Sequence, residues 1–144
     1  MPRTLIIGYG NRLRGDDAIG PLAAERLREI VCDPEVEILA LHQLTPELME
    51  PISRAACVIF IDAATAGAPG VVEERPVTAD PQGGNFTHHS TPGSLLAGAR
   101  ALFGHAPEAT LYTVRGEDFS FGEHLTPRTW KALLKVLERL QLSL

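Results

Sequence analysis

The side chains able to do chemistry in this sequence are the adjacent carboxylates Asp16-Asp17, the lone Asp62 and the pair His88-His89. Asp17 closes the turn Gly8-Tyr9-Gly10-Asn11-Arg12-Leu13-Arg14-Gly15, which follows the apolar run Leu5-Ile6-Ile7. Asp62 ends a second apolar run, Val58-Ile59-Phe60-Ile61. In an open α/β sheet the carboxyl ends of the strands share one edge, and ligands bind there. Asp17 and Asp62 are therefore expected close in space, although far apart in sequence. Such carboxylates repel a nucleotide phosphate and attract a cation. The third donor is expected from His88 or His89, in the glycine-rich loop Pro81-Gln82-Gly83-Gly84-Asn85-Phe86 and onward. Two carboxylates and an imidazole form a mixed oxygen and nitrogen set that suits a borderline divalent metal such as nickel or zinc. Three protein ligands with open positions describe a catalytic or exchangeable site rather than a structural one. Asp16, just ahead of the helix, is assigned to N-capping. His42, His105 and His124 lack a partner pattern and are read as surface or locally bonded.

Other chemistries fit poorly. A dinucleotide fingerprint starting at Gly8-x-Gly10 would need glycine where Leu13 stands, and strand two ends in Leu39-Ala40-Leu41 without a ribose-binding acid, so no nucleotide is expected. Ser90, Ser94 and Ser120 lack the context of a nucleophile elbow. The short chain leaves little room for a sugar cleft flanked by paired carboxylates. A formal net charge of −5 with no basic block argues against nucleic acid. No apolar run is long enough to span a membrane. Met1-Pro2-Arg3-Thr4 leads directly into a strand, which predicts no signal peptide and a cytoplasmic protein. Cys32 and Cys57 are expected as reduced core thiols.

The elements that must position these residues follow from periodicity. The 144 residues predict one domain, 1–144. Strands are expected at about Thr4 to Gly8, Val36 to Leu41, Cys57 to Ile61 and Leu111 to Val114, with an edge strand from Val71 to Val77 that tolerates Pro76. Helix one should run from near Asp17 to about Val31, with Pro21 in its first turn. Thr45-Pro46, Thr91-Pro92 and Thr126-Pro127 each place a hydroxyl N-cap before a proline at the first helical position. The stripes Leu95, Leu96, Ala99, Leu102, Phe103 and Trp130, Leu133, Leu134, Leu137, Leu140 predict core packing. Strands alternating with helices give a three-layer αβα sandwich around a mostly parallel central sheet of about five strands.

At these residues the chain resembles the hydrogenase maturation proteases, the endopeptidases that process the large subunit of nickel-iron hydrogenases. The resemblance rests on Gly8-Tyr9-Gly10-Asn11 with Leu13 and Gly15-Asp16-Asp17-Ala18-Ile19-Gly20. It continues through Val58-Ile59-Phe60-Ile61-Asp62-Ala63, the loop histidine with Pro92, Leu95 and Leu96, and Ser120-Phe121-Gly122-Glu123-His124-Leu125-Thr126-Pro127. It departs after strand two, where an Asp-Gly-Gly stretch found in some members is replaced by Ala40-Leu41-His42-Gln43-Leu44. The resemblance implies a nickel-contacting triad of Asp17, Asp62 and His89, with Asp17 and Asp62 catalytic and His89 preferred over His88 by its interval to Pro92. It further implies that a C-terminal extension is removed from the nickel-loaded large-subunit precursor, the nickel coming with the substrate. The alternative is a nickel-dependent docking or chaperone protein for the same precursor. A monomer is expected.

Overall fold

The computed structural model describes residues 3–80 and 90–144. Its strands are β1 (Thr4–Tyr9), β2 (Val36–Leu41), β3 (Cys57–Ala64), β4 (Val72–Pro76) and β5 (Glu108–Arg115). Its helices are α1 (Ile19–Ile30), α2 (Met49–Arg54), α3 (Pro92–Phe103) and α4 (Pro127–Ser143). The five strands form one sheet in the order β2-β1-β3-β5-β4. Neighbours run parallel except β4, which lies antiparallel on β5 at the edge.

The apolar strands alternate their side chains between two cores. Ile6, Ile59, Ile61 and Val114 meet Leu27 of α1 and Leu133 and Leu140 of α4. Leu5, Ile7, Phe60 and Leu111 meet Ile52 of α2 and Leu95 and Ala99 of α3 on the opposite face. This is why β1 and β3 lack a polar face: both of their sides are covered. Two glycines set how closely α1 approaches β1. A Cβ on Gly8 would collide with the Gly20 carbonyl, and one on Gly20 would collide with the carbonyls of Tyr9 and Ile61.

Several expectations shift. Helix one is preceded by a separate 3-10 turn, Gly15–Ala18, so Asp16 and Asp17 lie inside that turn rather than ahead of the helix. β3 runs on to Ala64 because β5 continues the ladder, pairing Asp62 with Thr113 and Ala64 with Arg115. Of the three threonines, only Thr91 caps, in a reciprocal box with Ser94. Thr45 makes no side-chain cap, and the Thr126 hydroxyl is taken by Asp16. The apolar stripes end early: Leu102, Phe103, Trp130 and Leu134 are exposed, because the buried stripe of α4 is instead Thr129, Ala132, Leu133, Val136, Leu137 and Leu140. Both cysteines are free, but Cys32, beyond the end of α1, is exposed and Cys57, the first residue of β3, is half-buried. Among the described residues no helix is long and apolar enough to cross a membrane.

Candidate functional site

The chain leaves β1 through α1 to reach β2 on one side, then returns through α2 to β3 on the other. The carboxyl ends of β1 and β3 therefore flank the point where the winding reverses, the place where open α/β sheets form a ligand crevice. Gly8 pairs with Ile61, which sets the next residues, Tyr9 and Asp62, side by side. Strand alternation puts both on the α2/α3 face, above Ile7 and Phe60. Asp17 arrives from the 3-10 turn. Its Oδ2 accepts the Asn11 amide at 2.7 Å, while Asn11 Oδ1 accepts the Leu13 amide at 2.9 Å. The turn thus holds the carboxylate through its own backbone.

Burial pushes the Asp62 carboxyl up to about 6, aided by the negative charge of Asp17 and opposed by hydrogen bonds from Tyr9 and the Ala63 amide. The Ala63 amide donates to Asp62 Oδ1 at 2.8 Å. Burial also raises the Tyr9 hydroxyl far above its ordinary value, reinforced by Asp62 and Asp17 and partly offset by Arg75. Tyr9 therefore stays a neutral donor to Asp62. Two acids and a phenol share this crevice, and each carboxylate is within electrostatic reach of the other.

Asp16 does different work. It is fully buried, and it does not cap its own helix. Its Oδ2 accepts the amides of Glu117 at 2.7 Å and Asp118 at 3.0 Å, and the Thr126 hydroxyl at 2.8 Å. Its Oδ1 accepts the Thr126 amide at 2.8 Å. Burial alone would raise this carboxyl, but these donors outweigh it and hold the group below its ordinary range. Gly15, at φ 53, occupies the left-handed region, and its amide reaches the Gly122 carbonyl at 3.0 Å. The two acids thus differ: Asp16 ties the turn to the 117–126 segment, whereas Asp17 accepts the Asn11 amide within the turn after β1.

His88 and His89 lie outside the described residues, as does most of the glycine-rich loop. Among the described residues no group of three or more His, Cys, Asp or Glu is assembled to hold a metal. His42 is exposed, His105 Nε2 lies 3.2 Å from the Ala55 carbonyl, and His124 Nε2 lies 3.3 Å from Asp118 Oδ2, as expected for surface or locally bonded rings. Tyr9 is the residue that sequence reading passed over. The signal was its parity with Leu5 and Ile7, which aims a polar ring at the same face as the strand's buried leucine and isoleucine.

Comparison with known structures defines the class as an endopeptidase fold. The [NiFe] hydrogenase maturation protease HycI from Thermococcus kodakarensis is 25% identical with a TM-score of 0.80, over 96% of this chain and 89% of that one. The hydrogenase maturating endopeptidase HybD from E. coli is 26% identical with a TM-score of 0.78, again over 96% and 89%. A hydrogenase 2 maturation peptidase from a Thaumarchaeota archaeon, 23% identical, shares the fold at a TM-score of 0.75 over 98% and 97%. No protein-family model matches the chain, and no curated protein matches it in sequence. The architecture is that of the hydrogenase maturation proteases.

Proposed function

We propose that this chain, acting as one domain, is the endopeptidase that removes a C-terminal extension from the nickel-loaded large-subunit precursor of a [NiFe] hydrogenase. The observation that carries the proposal is the convergence of Asp17 and Asp62 at the switch point, beside Tyr9 and within an endopeptidase fold. The nickel belongs to the substrate. Two carboxylates whose charges oppose each other suit it, because a divalent cation relieves both the repulsion and the burial that raise Asp62. His89 supplies the third donor from the loop. Borderline nickel takes such oxygen and nitrogen ligands readily. Cleavage then waits on metal insertion, since the carboxylates recognise the metal before the peptide is cut.

The acids also serve the chemistry. Asp62, with a pKa raised to about 6, is ionised at neutral pH and so is charged to meet the nickel; the alternative route is that a carboxylate oxygen left off the metal activates a water as general base. The nickel can polarise the scissile carbonyl as a Lewis acid. Peptide specificity comes from residues 81–90 and the Ala63 to Gly70 segment. The absence of a basic block supports a protein rather than a nucleic-acid partner, and we place the reaction in the cytoplasm.

Incubation with a nickel-loaded precursor should yield a shortened large subunit by mass spectrometry. Asp17→Asn should abolish that product and leave the melting temperature unchanged, because asparagine's carbonyl can still accept the Asn11 amide. Processing at the wild-type rate by this variant would refute the role. Tight binding of the precursor without shortening by the wild type would favour the docking reading instead.

A further inference from the structure

The geometry points to an apolar anchoring site, formed by Leu13, Phe121 and the pocket against Trp130, that grips an apolar side chain of the nickel-bearing precursor itself. This inference rests on the proposed function and names the surface by which that partner is held. Single exposed apolar residues are ordinary. Here three large ones gather on adjoining segments: Leu13 is 45% exposed, Phe121 79% and Trp130 37%. A pocket of about 380 Å³ opens beside them, with an apolar lining of Ala18, Leu22, Leu125 and Trp130 and a polar one of Arg12, Glu123 and His124.

The backbone beneath the patch is tied down. The Gly122 amide donates to the Leu13 carbonyl at 2.7 Å, and Gly122 accepts the Gly15 amide in return. The four bonds to Asp16 fix the flanks of the Phe121 segment at Asp118 and Thr126. The pocket walls are pinned as well, with the Arg26 guanidinium 5.1 Å from the Trp130 ring centroid and Arg12 paired to Glu25. Apolar side chains carried on a backbone that is already fixed cost less to order on binding, which suits them as anchors.

The occupant follows from position. Leu13 belongs to the turn that carries Asp17, and Asn11 bonds both Leu13 and the Asp17 carboxylate. A protein that presents its metal to Asp17 and Asp62 must approach this turn, so its surface covers Leu13 and Phe121. The crevice reads the metal on the α2/α3 face, while the anchor grips the precursor on the α1/α4 side of the same edge.

The test is the double variant Leu13→Ser/Phe121→Ser, checked for an unchanged melting temperature. Steady-state processing of the nickel-loaded large-subunit precursor is measured by mass spectrometry, and its binding separately by biolayer interferometry. KM and Kd should both rise at least tenfold, with kcat within twofold of wild type. Unchanged KM and Kd would overturn the anchor while leaving the protease reading intact. If wild type binds the precursor without cutting it and the variant binds at least tenfold more weakly, the anchor stands and the protease reading fails. If wild type neither binds nor cuts, both fall. Sedimentation of the wild type as a dimer that the double variant disperses would assign the patch to a second copy and overturn the proposal.

Discussion

Asp62 combines two demands that conflict. Its carboxyl must be charged to meet a cation, yet it is buried beside Asp17 and a phenol. The folded value of about 6 stands above the ordinary 3.8, so above pH 6 the folded chain carries a charge that unfolding would relieve. Asp62→Asn should therefore abolish processing and yet stabilise the protein at pH 7, by roughly 1–3 kcal/mol. The gain should fade as pH falls from 6 to 4, because the folded carboxyl takes up its proton before the unfolded one, and vanish below the ordinary 3.8, where both states are protonated. Melting curves at the two ends of that range check the sign, and a destabilised variant at pH 7 would contradict it. Sequence reading placed Asp62 at the site from its position at the end of an apolar run. It missed that β3 continues past it, because the extra pairs are supplied by β5, some fifty residues further on.

At the scale of elements, the Asp16 clamp joins the 3-10 turn to the entry of α4. Asp16→Ala would leave the amides of Glu117, Asp118 and Thr126 without their acceptor, at a cost of about 3–5 kcal/mol. Urea titration should show that loss at pH 7. Because the folded carboxyl is held below 3.8, its contribution is fully present above that pH and disappears as pH falls through the depressed folded value. The gap between wild type and variant should therefore narrow in strong acid. The Thr-Pro signal marked the starts of α3 and α4, since proline fixes the first position, whereas at Thr45-Pro46 it opens a 3-10 turn, Pro46–Leu48, that leads into α2 at Met49. Which hydroxyl became a cap was not legible. Thr126 instead donates to a carboxylate that precedes it by 110 residues, and local sequence carries no sign of that competition.

Across the whole molecule, the site depends on how closely α1 lies on the sheet. Gly20 faces the backbones of both β1 and β3 at the level of Tyr9 and Ile61, so any side chain there pushes the helix away from the switch point. Gly20→Ala should lower stability by about 1–3 kcal/mol or more through overpacking, and should slow processing because Asp17 moves with the helix. A variant with normal melting and normal processing would show that the helix can shift without moving the site. The sheet order then explains the rest of the placement. Only the reversal between β1 and β3 brings Tyr9 beside Asp62, and only strand parity puts both on one face.

By itself the sequence determined the layer architecture, the two central apolar strands, the edge strand with its proline and the acids that follow the two apolar runs, because each of these is written in local periodicity and turn chemistry. Tertiary structure alone decided that Asp16 is a buried clamp, that Tyr9 joins Asp62 and that the last apolar residues of α3 and part of those of α4 stay in water. The reason is the same in each case: a side chain's partner, unlike its helical or strand preference, comes from chain that is distant in sequence and near only after folding.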